Sequence, residues 1–355
     1  MRSKSTVLPS HRAVTMNDIA TAAGVAQSTV SRILNDAPLT IPVAPETRMR
    51  VLETAKRMGY RPNPLARALR GAPTMLLGAI VRDITDPFFA GAIEAVSGAA
   101  RSRDYNIVLG HAHAQAFEAL VLATMLESRQ CDALLVLGDM RDQPRLIEDL
   151  RLSHVPIVAM WQGSELHGIA AVNVDNRAGI TAAMAHLMGL GHTRIAFVGG
   201  RPLGDIRERR DTYLEVLARS GLARDAYVQE VSNTPGDGVT AVRTLMDLSE
   251  TPTAVLASTD VLAAGVLHGA AGLGLRVPDD LSVVGFDDIP MSAFMVPALT
   301  TIRMPTSMMA ATAVDLALSS VGVPVEARDL GNRTFRPELI LRRSTARPWA
   351  GTGRR

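Results

Sequence analysis

Side chains able to recognise a ligand stand where apolar runs end. Asp83, Asp86, Phe88 and Phe89 follow the run closing at Val81, and Trp161 and Gln162 follow the one closing at Met160. Arg207 and Arg209 come after the Gly199-Gly200 turn, Thr259 and Asp260 after the Val255 run, Asp287 and Asp288 after the Val283 run. A carboxylate and a guanidinium converging on one cleft give oriented, paired hydrogen bonds, which suit a polyhydroxylated ligand. Aromatic faces stack on the apolar side of a sugar or on a purine. Asp260 and Asp288 read equally well as helix caps, and Arg207 as a surface residue. Gln27, Ser28, Ser31, Arg32 and Asn35 recur on one side of a short helical pattern. They are side chains that pair with base edges or phosphates. His111 and His113 share a strand face, but without a third ligand they read as polar rim residues rather than a metal site. There is no phosphate-cradling glycine loop, zinc-protease helix or nucleophile signature. The chemistry expected is binding, with no cofactor and no metal, and not catalysis.

The elements needed to position these groups are legible. Val14 to Asn35 reads as two short helices around Gly24, the layout of a helix-turn-helix. Thr15 with Asp18 forms a capping box. Ile19, Ala20 and Ala23 face inward from the first helix, and Val25, Val30, Ile33 and Leu34 from the second segment. Pro45-Glu46-Thr47 opens a third helix, expected to pack through Val51, Leu52, Ala55 and Met58. Beyond it, 76–81, 106–110, 133–137 and 156–160 read as buried strands with helices between, one running from Pro87 to Arg103. A second set covers 194–199, 254–257 and 281–286. Apolar strands alternating with helices imply parallel sheets covered on both faces, here two α/β lobes. In such sheets ligands bind beyond the carboxyl ends of the strands.

Composition agrees. Within 355 residues the net charge is +2, but Met1 to Gly71 alone carries eleven Lys/Arg against four Asp/Glu. A basic head on a mildly acidic body is the footprint of phosphate binding. The one cysteine, Cys131, allows no internal disulfide and reads as a buried thiol in a reducing compartment. The polar first dozen residues lack the apolar core of a signal peptide, and no apolar run reaches the ~20 residues of a membrane span. A cytoplasmic location is expected.

Several segments together carry a resemblance. V-T-M-N-D-I-A, G-V-A-Q-S-T-V-S-R-I-L-N, P-E-T-R, G-Y-R-P-N-P-L-A-R-A-L-R, D-P-F-F, G-H-T-R-I-A-F-V-G-G, V-P-D-D-L-S-V-V-G-F-D-D and P-A-L-T-T-I follow in order along nearly the whole chain. They resemble the bacterial transcription regulators of the lactose-repressor/galactose-repressor (LacI) family. The resemblance implies an all-α helix-turn-helix head (1–61), a hinge (62–72), a two-lobed periplasmic-binding-protein-like α/β effector domain (73–345) and a flexible tail (346–355). It implies a homodimer on an inverted-repeat operator of double-stranded DNA, switched by a small molecule between the lobes. A sugar leads as that molecule; a purine or a protein partner is the alternative. Gln27, Ser28 and Arg32 are expected to read bases, with Ser31 and Asn35 on the same face; Thr15, Thr29, Thr47, Tyr60 and Asn63 are expected to hold phosphates. Residues 64–70 form the hinge helix, with Ala66 and Leu69 at the DNA and Leu69 wedging into the minor groove. In the cleft, Arg209 takes the family's clamping-arginine position, Asp287 its aspartate, and Phe88 and Phe89 its aromatic pair. Trp161 stands where many members have an acidic residue, so the usual galactoside pattern is not expected. The 36–45 connection is longer than the family's, and the absence of leucine heptads in the tail argues for a dimer and not a tetramer.

Overall fold

The computed structural model describes residues 14–34, 43–60, 73–112, 131–140, 155–161, 169–200, 204–222, 227–324 and 333–349, with single positions between (122, 125, 145, 148, 150, 152 and 153). Asn35, Asn63, Ala66, Leu69, His113, Gln162, the hinge and the 36–42 connection lie outside them. The chain divides into two compact units, Met1–Thr74 and Met75–Arg355.

The first unit holds α1 (Met16–Ala23), α2 (Gln27–Leu34) and α3 (Pro45–Arg57). Thr15 caps α1 through the reciprocal box with Asp18, and Gly24 ends it at φ 66°, a left-handed angle that suits glycine. Ile19, Ala20, Ala23, Val30, Ile33, Val51 and Ala55 make the core, with Val25, Leu34, Met58 and Tyr60 packed against it. Leu52 differs from expectation: it faces solvent, and Thr54 is buried instead. Along α3 the inward stripe runs 51, 54, 55 and 58, the helical spacing of three and four residues, which leaves position 52 off the stripe.

The second unit contains two six-stranded sheets. The first has the order β11-β5-β4-β3-β1-β2, built from β1 (Leu76–Val81), β2 (Asn106–His111), β3 (Ala133–Leu137), β4 (Ile157–Met160), β5 (Ala170–Val174) and β11 (Arg333–Phe335), all pairings parallel. The second has the order β12-β10-β9-β8-β6-β7, from β6 (Ile195–Gly199), β7 (Tyr227–Glu230), β8 (Ala254–Ala257), β9 (Ser282–Asp287), β10 (Thr300–Arg303) and β12 (Glu338–Ile340). Only β12 runs antiparallel in that sheet, closing its edge. Helices delimited among the described residues include α4 (Pro87–Arg101), α5 (Asn176–Gly189), α6 (Gly204–Arg219), α7 (Pro235–Met246), α8 (Asp260–Gly272) and α9 (Thr306–Ser320).

Chain order explains the two lobes. The chain leaves the first sheet after β5, builds most of the second, and returns as α9, which packs on α4, β3, β4 and β5. It then supplies β11 to one sheet and β12 to the other, so segments near 175, 305 and 336 connect the lobes. Helix α4 stops at Arg101, short of the expected Arg103. Arg103 instead turns its guanidinium onto both carboxylate oxygens of Asp315 in α9, at 2.6 and 2.7 Å. This bidentate, partly buried pair fastens the returning helix to its lobe.

Ala346 differs from the flexible tail expected from that residue on; 350–355 lie outside the described residues. Ala346 donates its N–H to Ser282 Oγ, and its carbonyl accepts from buried His192. His192 further meets Thr253 and Ser282, so these groups stitch Ala346 to β9. Among the described residues no helix is long and apolar enough to cross a membrane.

Candidate DNA-reading face and effector cleft

In the first unit, Val30 and Ile33 bury one side of α2 while Gln27, Ser28 and Arg32 are exposed on the other. Positions 27, 28, 31 and 32 fall within a ~140° arc at 100° per residue, opposite the buried pair. Ser31 and Thr29 are half-buried at the margins. Thr15 is exposed beside its cap, and Thr47 and Tyr60 are half-buried. The result is a short helix presenting donors and acceptors from a fixed, three-helix base.

In the second unit the cleft groups collect where the strands end. Arg209 is 3% exposed on α6, and its planar group is held from every side. Its Nε donates to Asn176 Oδ1 at 2.8 Å, Nη1 donates to the Ser258 carbonyl at 2.6 Å and to Asp287 Oδ1 at 3.4 Å, and the guanidinium carbon lies 3.6 Å from the Phe286 ring centroid. Asn176 in turn donates to Asp205 and Glu208, at 2.9 Å each. Gly179 lets the Phe286 ring lie close to α5, since a Cβ there would stand 2.9 Å from the ring. The guanidinium is thus oriented before any ligand arrives.

Asp287 ends β9 at φ 115° and Asp288 follows at φ 53°. Consecutive non-glycine residues with positive φ cost of order 1–3 kcal/mol each, and such strain collects at ligand sites. Burial pushes the Asp287 carboxyl well above the usual carboxylate range; Arg209 opposes the shift, and nearby Asp260 and Asp86 add to it. Asp288 caps no helix: it accepts from Arg303 Nε at 2.7 Å and Arg342 Nη2 at 2.6 Å, which pin the strained turn to β10 and to the segment after β12.

The other candidates separate. Asp260 turns into the lobe, where its carboxylate accepts from Ile289 N (2.9 Å), Ser292 Oγ (2.5 Å) and Thr301 Oγ1 (2.5 Å). With its acceptor capacity engaged there, it holds the 289–292 turn rather than presenting a group to the cleft. Thr259 caps α8 by accepting from Leu262 N, and its hydroxyl donates to Asn233 Oδ1 at 2.6 Å. Asn233 Nδ2 then donates across to Asp86 Oδ2 in the first lobe at 2.9 Å, a direct bridge between lobes. Asp86 also caps α4 through Phe88 N. Burial raises its carboxyl above the usual range, and Asp83 adds to the rise; the hydrogen bonds and Arg209 pull the other way. Asp83 is engaged locally by Thr85, and Arg207 is exposed on α6.

The first lobe contributes an aromatic wall. Phe88 is half-buried and meets Trp161 edge-on, with ring centroids 5.0 Å apart. Phe89, 5.1 Å from Phe88, is buried in the lobe core. Phe88 and Asp287 also share a cavity of about 380 Å³ with one face of α4 and residues 303–308. Cys131 is buried, with its thiol pushed up by desolvation. Among the described residues no trio of His, Cys, Asp or Glu is placed to hold a metal.

Asn176, Asn233 and Ser258 were invisible to the sequence reading. Asn176 follows a capping Asp, Asn233 sits in a turn-like S-N-T-P-G stretch, and Ser258 acts through its backbone carbonyl.

A helix-turn-helix unit and a two-sheet ligand-binding unit define a ligand-responsive DNA-binding regulator. Residues 15–63 match the bacterial regulatory proteins of the lacI family, and residues 184–345 match the periplasmic binding protein-like domain. The chain is 35% identical to catabolite control protein A of Priestia megaterium over 308 residues, covering 85% of this chain and 91% of that protein. It is 33% identical over 338 residues to the transcriptional repressor CytR of Escherichia coli strain K12, covering 94% and 96%. The crystal structure of the lac repressor dimer bound to operator and the anti-inducer ONPF superposes with a TM-score of 0.82 at 26% identity, covering 94% of this chain and all of that one. The chain belongs to the LacI family of bacterial transcription regulators. It is a DNA-binding regulator with an effector domain, not an enzyme.

Proposed function

We propose that this chain is a cytoplasmic, homodimeric repressor whose affinity for an inverted-repeat operator is switched by a sugar or sugar derivative held between the two lobes. The observation carrying this reading is the pre-oriented Arg209–Asp287 pair, buried and strained at the strand ends, facing the bridge from Asp86 to Asn233. A guanidinium and a carboxylate side by side meet vicinal hydroxyls as donor and acceptor. Gln27, Ser28 and Arg32 read base edges in the major groove, while Thr15, Thr29, Thr47 and Tyr60 hold phosphates. Leu69, outside the described residues, serves as the minor-groove wedge, in a hinge too short to be helical without DNA and its partner. A second copy covers the exposed apolar side chains Met291, Phe294, Val296 and Met308. Ligand closes the lobes and shifts the hinges; a coupling of about 1–3 kcal/mol changes operator affinity about five- to 150-fold.

The test is fluorescence anisotropy on DNA that the protein selects from its own genome. Arg209→Ala is expected to lose the response to ligand while keeping operator affinity in ligand-free buffer. A full response in that variant removes the clamp from the account. Leu69→Ala is expected to weaken operator binding at least tenfold and leave ligand affinity unchanged; equal operator affinity rules out the wedge.

A further inference from the structure

Helix α3 carries a second apolar ridge besides the stripe it buries. Val51, Thr54, Ala55 and Met58 turn into the core shared with α1 and α2. Pro45, Met49, Leu52 and Lys56 fall within a ~60° arc centred about 140° further round, at 100° per residue. All four are exposed, Met49 at 58% and Leu52 at 43%. Their spacing of four, three and four residues makes a continuous ridge, lengthened by the methylene stem of Lys56. It points away from α1 and α2.

Beside the ridge lies an ordered run of charge. Glu46, Arg50, Glu53 and Arg57 occupy the next ~60° of the helix. All four are exposed, and among the described residues none of them is held in an ion pair. Read from the N-terminus, their signs run minus, plus, minus, plus. Two antiparallel helices related by a two-fold axis bring the same flank together from each side. That arrangement sets Glu46 against Arg57 and Arg50 against Glu53, each pair formed twice, while ridge meets ridge. The face is therefore complementary to a second copy of itself. Its size is also informative. Three apolar side chains and a lysine stem cover far less than the roughly 800 Å² per partner of a stable interface. So small a contact forms only where something else holds two copies close, as a duplex carrying neighbouring sites does.

Resting on the operator-binding reading above, we propose that the outer face of α3 docks a second copy of this chain. Helix α3 of one bound molecule packs antiparallel on α3 of another bound at a neighbouring operator, and DNA binding becomes cooperative. This contact is separate from the apolar patch around Val296.

The test is quantitative footprinting of the full-length protein on duplexes carrying one or two copies of a selected operator. The separation of the two copies is stepped through one helical turn of about 10.5 base pairs. At the favourable phase the second site is expected to fill at least about fivefold more tightly than an isolated one, the low end of ordinary coupling. Met49→Gln/Leu52→Gln removes the ridge and no charge. It is expected to abolish the cooperative gain while one-site affinity and melting temperature stay unchanged. Glu53→Arg sets like charges face to face and is expected to abolish the gain as well. Arg50→Glu/Glu53→Arg changes the order to minus, minus, plus, plus, which again complements its own reverse, and is expected to restore it. A merely structural role for these side chains predicts no such rescue. No cooperativity at any phase in the wild type, or a double charge swap as poor as Glu53→Arg, overturns the proposal. So does a ridge variant that loses one-site affinity or melts lower, because the ridge is then covered within one molecule. Wild-type affinity for a single operator, measured in the same series, tests the operator-binding reading separately.

Discussion

Asp260 and Asp287 look alike in the sequence, each standing where an apolar strand ends, yet they do different work. Asp287 sits at a strained position against Arg209, whereas Asp260 is enclosed by three donors from the 289–301 region. An aspartate at the first turn of a helix is so common that no local pattern separates a cap, a brace and a ligand contact. Arg209 and Asp287 could be singled out because the resemblance points to those positions; Asn176, which orients Arg209, and Asn233, which bridges to Asp86, were silent because their neighbours read as caps and turns. Burial, outweighing those three donors, lifts the Asp260 carboxyl to about 6, above its unfolded value near ~4. Between about pH 4 and 6 the folded state keeps a proton that the unfolded chain has released, so stability falls as pH rises through that window. The melting temperature of the wild type relative to Asp260→Asn is therefore expected to drop from pH 4 to 6 and level off above. A pH-independent difference between the two would contradict this assignment.

At the scale of elements, apolar runs announced β1, β3, β4, β6, β8 and β9, because strands buried on both faces need little but aliphatic side chains; β2 also formed where expected, but as a half-buried to exposed edge strand rather than the buried strand expected. The reading missed β5, β7, β10, β11 and β12. Strand β10 shows why: Thr300 and Thr301 are fully buried, and their polar atoms are satisfied by Ser344, Arg342 and Asp260 rather than replaced by hydrocarbon. Tertiary partners supplied what the local pattern lacked. The α7–α8 contact illustrates the opposite case, where one residue type is mandatory. A Cβ at Gly265 would collide with the Pro235 backbone and stand 2.9 Å from the Gly238 Cα, neither of which can rotate away. Gly265→Ala is expected to destabilise the effector domain by about 1–3 kcal/mol, the usual cost of overpacking. Thermal unfolding followed by circular dichroism measures it, and an unchanged midpoint would show that the helices separate freely.

For the whole molecule, the sequence carried the division of labour: a basic first unit to meet phosphates and an acidic second unit to bind a ligand. What it could not carry was the crossing of the chain between lobes, since β11 and β12 are three-residue strands with mixed side chains. Dimer formation is tested at the apolar patch, where Val296 is 94% exposed. Val296→Arg is expected to shift the protein from dimer to monomer in sedimentation and to weaken operator binding; a stable dimer places the interface elsewhere. The central claim, a dimeric DNA reader, is tested most directly by selecting fragments of the source genome with the purified protein at one fixed, moderate salt concentration. The account predicts enrichment of an inverted repeat whose half-sites are related by the dimer's two-fold axis. Recovery of DNA without any shared symmetric site would contradict it.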